Sequence, residues 1–272
     1  MKDYIQISIH PVNQEQSEIL VAQLSEMGFE GFEEQEKGLN AFIEKDQLEE
    51  GTLTQIISLH QLEYTRQLIP AQNWNQIWEK NFQPISVDDF CGIRAAFHPH
   101  MNGVQYDIII TPKMSFGTGH HVTTYLMIQA MRRVELQGKR VLDFGTGTGL
   151  LAILAEKMGA AHVLAIDHDE WSIQNARENL VCNDCLAVTI KKKDSLEDIG
   201  VFDLILANIN KSVIINSLKN LSQHLKQDGV VLLSGLLSED LQEIQQELVS
   251  CPLSISLCVE QKNWICLRLQ HG

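Results

Sequence analysis

The sequence predicts an α/β protein, with a mostly parallel sheet in its C-terminal two thirds and a small α+β unit before it. Two observations carry the prediction. From Gly138 onward, buried strand-like runs alternate with helix-length segments, a spacing that implies parallel strands joined by right-handed crossovers. Before residue 71 the order is strand, helix, strand, strand, helix, strand, the split βαβ pattern. The length of 272 residues, 44% of them hydrophobic, is enough for a sizeable core.

The elements follow in order. "YIQISIHPV" alternates apolar and polar residues as a strand does, and Ile19, Leu20, Leu24 and Met27 recur at helical spacing up to Gly28. "EGFEEQ" and "LNAFIEK" flank a hairpin-like break at Lys37-Gly38; "LTQIISLH" predicts a short helix and "EYTRQLI" a closing strand. Residues 1–71 thus form one expected domain. A linker helix is expected over 72–84, with Trp74 and Trp78 four apart on one face, a spacing typical of packing. Residues 85–272 form the second expected domain. In it, "ISVDDFCGIRAAFHP" and "VQYDIIITP" predict strands. The alternation then runs "KRVLDFG", helix "GLLAILAEKMGA", "HVLAIDHD", helix "EWSIQNARENL", "AVTIKKKD", "FDLILANI", helix "VIINSLKNLSQHL" and "GVVLLSGLL". The tail "LSISLCVEQKNWICLRLQ" predicts two more strands joined by a turn.

Charge and cysteine content narrow the function. A formal charge of −14 disfavours non-specific nucleic-acid binding. Solubility is its simplest explanation, and a basic macromolecule would also be drawn to such a surface. No hydrophobic h-region opens the sequence and no apolar run approaches membrane length, so a soluble cytoplasmic protein is expected. Of six cysteines only Cys182 and Cys185 are close. One CxxC is short of the about four ligands of a structural zinc site, so reduced thiols and no metal are expected.

The word FGTG occurs twice, in "MSFGTGHHVTT" and in "VLDFGTGTGLL". The second joins a predicted strand to a helix, where α/β sheets bind nucleotides. It is not a P-loop, because Gly149 is followed by Leu150 rather than by Lys and Ser or Thr. It is not the dinucleotide GxGxxG, because counting from Gly145 and Gly147 the last slot holds Leu150. What remains is Asp143 followed by GxGxG, a bend that passes close to a ligand. Asp167, ending the next strand, can accept hydrogen bonds from both hydroxyls of one ribose. Asp169 is expected to cap the following helix. Asp194, after the third strand, is either an adenine contact or a plain loop acid.

"VLDFGTGTGLLAILAEKMGA" together with "AIDHDEWSIQNARENL" resembles the S-adenosylmethionine-binding core of the Rossmann-like class I methyltransferases. Adding "MSFGTGHHVTT", "ILANINKSVI" and "WNQIWEKNFQPI", the chain is similar over most of its length to the ribosomal protein L11 methyltransferase family. It departs from the family pattern at His120, Val122 and in "INKSV" after Asn208. The resemblance implies a ferredoxin-like N-terminal substrate-recognition domain and a seven-stranded catalytic domain. It implies S-adenosylmethionine as methyl donor and S-adenosylhomocysteine as product. The acceptors it implies are α-amino and lysine ε-amino groups of the basic large-subunit ribosomal protein L11; another protein or a small-molecule amine is the alternative. It also implies residue roles. Thr124, Gly145, Gly147, Asp143, Asp167 and Asp194 would serve the cofactor, and Phe116, Gly117, Thr118 and Gly119 would close over its sulfonium end. Asn208 would lie beside the methyl group and position the amine. His121 would line the loop, with a general base as its other role, and the helix beginning there would point free amides at the methionine carboxylate. The two FGTG words would then be opposite walls of one pocket.

Overall fold

The computed structural model describes residues 3–35, 38–69, 82–111 and 117–272. The chain divides into two compact units, residues 1–78 and 79–272. Most of the expected linker helix, with Trp74 and Trp78, lies outside the described residues, as does Lys37.

The first unit contains β1 (Tyr4–His10), α1 (Gln14–Glu26), β2 (Gly31–Gln35), β3 (Gly38–Glu44), α2 (Glu50–Leu59) and β4 (Glu63–Ile69). Its four strands lie in the order β2-β3-β1-β4 with every neighbouring pair antiparallel, the ferredoxin-like arrangement. Helix α1 starts where a capping box allows it: the Asn13 side chain accepts from Gln16 N, and the Gln16 side chain accepts from Asn13 N. Alternation in β1 turns Ile5, Ile7 and Ile9 inward against Leu20 and Leu24 of α1 and Leu53 and Ile57 of α2. Each such buried side chain contributes roughly 1.5–3 kcal/mol.

The second unit opens with β5 (Ile85–Val87), β6 (Cys91–Arg94) and β7 (Tyr106–Ile109), which form a three-stranded sheet of their own. Then come α3 (Val122–Met131), β8 (Arg140–Phe144), α4 (Leu150–Lys157), β9 (His162–Asp167), α5 (Glu170–Cys182), β10 (Val188–Lys192) and β11 (Phe202–Asn208). The unit closes with α6 (Lys211–Gln223), β12 (Leu225–Leu237), α7 (Leu241–Leu248), β13 (Leu253–Gln261) and β14 (Trp264–His271). The large sheet runs β10-β9-β8-β11-β12-β14-β13. Its first five strands are parallel, and β14 pairs antiparallel with both β12 and β13. This is the mostly parallel sheet that the alternation predicts, with the seven strands that the resemblance implies.

Helices α6 and α7 cover one face, where Ile214, Leu218, Leu221, Ile244 and Leu248 bury Leu142, Ile205, Val231, Leu233 and Leu267. Helix α3 packs on β12 and β14, while α4 and α5 pack on β8, β9 and β10. Helix α6 begins two residues earlier than its apolar spacing suggests, because the Asn210 side chain accepts from Val213 N and sets the start. It also ends earlier, since Leu225 leaves the helix to pair with Phe202 as the first residue of β12. Among the described residues, no helix is long and apolar enough to cross a membrane.

One interruption in β12 shapes what lies above it. The ladder to β14 shifts register between Leu233 and Leu236, and Gly235 there has φ +89°. A Cβ at Gly235 would overlap the carbonyl oxygen of Ile209. Glycine is therefore required twice, for the backbone angle and for the close approach. Replacing Gly235 by Ala is expected to lower unfolding stability by at least about 1–3 kcal/mol, read as a reduced urea midpoint. An unchanged midpoint would show that the Ile209 strand end moves aside without cost.

Candidate functional site

The strand order reverses between β8 and β11. The connection from β8 enters α4 and that from β11 enters α6, on opposite faces of the sheet. A crevice opens beyond the carboxyl ends of two such strands, and ligands of open α/β sheets bind there. Both strands end in residues singled out from the sequence. The loop 145–149 follows β8, and Asn208 is the last residue of β11.

Gly145, Gly147 and Gly149 all have positive φ, at +75°, +53° and +81°. The missing side chain of Gly145 faces a protein neighbour, since a Cβ there would overlap Ile209 Cγ2. Ile209 is thus held between Gly145 and Gly235, and this fixes the position of Asn208 before it. The loop is tied down by carboxylates. Asp167 Oδ2 accepts from Gly147 N at 2.9 Å, and its Oδ1 accepts from Asp169 N at 3.0 Å. Asp169 caps α5, as expected, by accepting from Ser172 N at 2.8 Å. Each oxygen of Asp167 keeps capacity for a further bond, so its bond to the loop is compatible with a ribose contact.

Asp143 behaves differently from a ligand contact. It is 1% exposed and turned into the protein, where Thr146 Oγ1 donates to its Oδ2 at 2.6 Å. Burial is the main cause that pushes its pKa up to about 7; the Asp167 charge adds to this, and the bonds from Thr146 and the Ala152 amide oppose it. Its role in the structure is to hold the loop from beneath.

The two FGTG words meet directly. Thr148 Oγ1 donates to Gly117 O at 2.6 Å, so the two loops touch. Phe116 lies outside the described residues. Thr118 Oγ1 is 3.4 Å from His120 Nδ1, and the His120 ring sits edge-on to Phe82 at 4.9 Å. Asp194 is exposed two residues beyond the end of β10, near the strand end of Asp167.

Around the start of α3 the geometry corrects one expectation. His121 is the N-cap, and its Nδ1 accepts from Thr123 N at 3.3 Å and lies 2.8 Å from Thr123 Oγ1. Thr124 N and Tyr125 N both donate to His121 O. The amides of Thr123, Thr124 and Tyr125 are therefore engaged within the turn and are not free for a carboxylate. The His121 ring packs edge-on against Trp264 at 4.6 Å. Burial lowers its pKa to about 4, so it is neutral at pH 7 and too weak a base to deprotonate an ammonium group.

Asn208 has the features of a binding group. It is buried, and its Nδ2 lies 3.5 Å from Thr124 Oγ1, while its buried Oδ1 has no hydrogen-bond partner among the described residues. A buried acceptor left unmade costs about 1–3 kcal/mol, a penalty that a ligand N–H would remove. Among the described residues, no group of three or more His, Cys, Asp and Glu is gathered as a metal site requires.

Sequence reasoning missed Thr148, Ile209, Gly235 and Trp264. Thr148 stands inside the quoted motif, and its small hydroxyl flanked by glycines was the available signal. The contact of Trp264 with His121 brings together residues 143 positions apart, and no local pattern marks it.

A seven-stranded sheet with one antiparallel strand inserted near its edge, a GxGxG bend at the switch point and an acid ending the next strand define a class I methyltransferase fold. The comparisons agree. The model of the ribosomal protein L11 methyltransferase (PrmA) family matches residues 5–272. The ribosomal protein L11 methyltransferase of Porphyromonas gingivalis is 39% identical over 259 residues, covering 92% of this chain and 89% of that protein. The protein of the same name from Bacteroides thetaiotaomicron is 37% identical over 278 residues, covering 98% and 99%. Among solved structures, the ribosomal protein L11 methylase of Lactobacillus delbrueckii subsp. bulgaricus superposes with a TM-score of 0.65 at 32% identity, covering 70% of this chain and all of that one. A methyltransferase from Pyrococcus furiosus, at 21% identity and TM-score 0.50 over 60% of this chain and 87% of that one, shares the fold. The chain belongs to the ribosomal protein L11 methyltransferase family.

The raised pKa of Asp143 predicts a pH effect with a definite sign. An unfolded aspartate titrates near 3.9, so between about pH 4 and 7 the folded state holds the proton more tightly. The contribution of Asp143 to stability is fully present below that window and is lost as pH rises through 7. Relative to wild type, Asp143→Asn is expected to gain stability with rising pH, by an amount on the order of a few kcal/mol that levels off above pH 7. Urea unfolding of both proteins from pH 4.5 to 8 measures this, and parallel profiles would refute it.

Proposed function

We propose that this protein transfers methyl groups from S-adenosylmethionine to α-amino and lysine ε-amino groups of the large-subunit ribosomal protein L11, with S-adenosylhomocysteine as product. The observation that carries the proposal is the buried Oδ1 of Asn208, which has no hydrogen-bond partner among the described residues and is held beside Thr124 at the switch point of the sheet. The names of the relatives support the acceptor, and the net charge of −14 suits a basic protein substrate.

Bound S-adenosylmethionine supplies an activated methyl group on a sulfonium. The residues of this chain then have three tasks. Asp167 would hold the ribose hydroxyls, with the 145–149 loop and the Gly117–Gly119 loop as walls. Asn208 Oδ1 would accept an N–H of the incoming amine and leave its lone pair aimed at the methyl, since an in-line displacement depends on alignment. Burial at Asn208 beside Thr124 would favour the uncharged amine. That help matters unequally. At pH 7 an α-amino group is neutral about a tenth of the time, a lysine for only about one part in a few thousand. Lysine therefore needs a further ~3 kcal/mol from desolvation and hydrogen bonding. The N-terminal unit is assigned to recognising the protein substrate.

Asn208→Ala is expected to reduce kcat for methylation of purified L11 by roughly a hundredfold, with S-adenosylhomocysteine affinity changed by less than about threefold. Asp167→Ala is expected to show the reverse emphasis, weakening that affinity by at least ~10-fold, equivalent to about 1.4 kcal/mol. Labelled methyl incorporation and calorimetry provide the two measurements, and mass spectrometry of the product locates the modified amines. An intact chain that binds the cofactor product yet labels no L11 would overturn the assignment of the acceptor.

A further inference from the structure

Helix α5 carries Asn175 and Asn179 and is capped at its C-terminus by Asn183; the three asparagines recur at intervals of four and all are buried. Two of them take the place of a strand neighbour for the end of β7. Asn183 Oδ1 accepts from Ile109 N at 2.9 Å, and its Nδ2 donates to Ile109 O at 2.6 Å. Asn179 Oδ1 accepts from Thr111 N at 2.7 Å. The Asn179 Nδ2 donates to Thr148 O at 2.8 Å and to Asn175 Oδ1 at 3.2 Å. Thr148 in turn donates through its hydroxyl to Gly117 O. A continuous path of hydrogen bonds thus runs from Thr111 through Asn179 and Thr148 to Gly117. Its two ends bracket the chain leading into the first FGTG loop, and its middle is the second.

We propose that Asn179 is a positioning residue for methyl transfer: it holds the two glycine loops in register, so that both walls of the cofactor pocket form together. The inference rests on the assignment of this crevice to S-adenosylmethionine. The residue type follows from the geometry. One planar amide must accept from Thr111 N and donate to Thr148 O at once, which neither a carboxylate nor an apolar side chain can do. Asn179 and Thr148 are both fully buried. Truncation therefore takes from the buried Thr148 carbonyl and the half-buried Thr111 amide the partner that Asn179 supplies. Asn179 acts through Thr148 and is given no contact with substrate.

The test compares S-adenosylhomocysteine binding by calorimetry, and steady-state methylation of L11, in wild type, Thr148→Val, Asn179→Ala and the double variant. Thr148→Val keeps the side-chain volume and removes only the hydroxyl. Each single variant is expected to raise the Kd and the cofactor KM by roughly 10-fold, with kcat at saturating cofactor within about threefold of wild type. The double variant is expected to be no more than about threefold weaker than Asn179→Ala, because both changes break one path. Multiplying effects, near a hundredfold together, would overturn the proposal, as would a folded Thr148→Val that binds like wild type. Should Asn179→Ala not fold, Asn179→Asp, which keeps the acceptor for Thr111 N and loses the amide donor to Thr148 O, takes its place with the same expected outcome. A folded wild-type protein that binds no S-adenosylhomocysteine would overturn the cofactor assignment instead, so the two failures are distinguishable.

Discussion

Parallel strands β8 and β11 lie side by side but send their chains to opposite faces of the sheet, and the remainder of the site depends on this divergence. Two neighbouring strands that both turned to one face would fill the space beyond their ends with their own connections. Here the space stays open, and it is furnished from both sides, by the 145–149 loop from β8 and by Asn208 and Ile209 from β11. Ile209 is then clasped between Gly145 and Gly235, which places the side chain of Asn208 by packing as well as by its strand position. The site is therefore built on the parallel centre of a sheet covered on both faces.

Carboxylates have two kinds of work in this loop, divided by burial. Asp167 ends β9 with its oxygens engaged by Gly147 N and Asp169 N, and it remains at the edge of the crevice with acceptor capacity left. Asp143, one strand over, is sealed beneath the loop, and the cost of charging it there is what raises its pKa. Two adjacent strand ends thus carry the same side chain, one at the rim of the glycine loop with acceptor capacity left and the other bracing the loop from beneath.

Much of this was legible in the sequence, for definite reasons. The alternation of strands and helices fixed the parallel sheet, because each period is set by which faces are buried. The GxGxG spacing and the acid at Asp167 are local in the chain and so could be read together. That Asp143 is buried beneath the glycine bend and bonded to Thr146 was not legible, because sequence reports that a residue stands beside such a bend without reporting which way it turns. At the start of α3, "HHVTT" shows where a helix begins, but not that the His121 ring and carbonyl would accept from the Thr123, Thr124 and Tyr125 amides. Thr148, Gly235 and Trp264 act through partners 31, 26 and 143 residues away, and separations of that size leave no periodic trace. The asparagines of α5 are at helical spacing in the sequence, but their partners lie on β7 and in the glycine loop.

On the proposed function, the protein must handle charge in opposite ways at two ranges. At long range a net charge of −14 attracts a basic substrate across a Debye length of about 8–10 Å. At the acceptor site the same sign of charge would be harmful, since a carboxylate beside an amine stabilises the ammonium form and withholds the lone pair. The side chains that meet there are a neutral amide at Asn208 and a hydroxyl at Thr124. An amide oxygen can accept an N–H without bringing a full negative charge, so it orients the amine while leaving it free to lose its proton. Substituting an acid at position 208 would be nearly isosteric and would still accept the bond, yet it would tie the proton to the amine. The choice of asparagine over aspartate is therefore explained by the chemistry of the acceptor, whereas hydrogen-bond geometry alone would permit either.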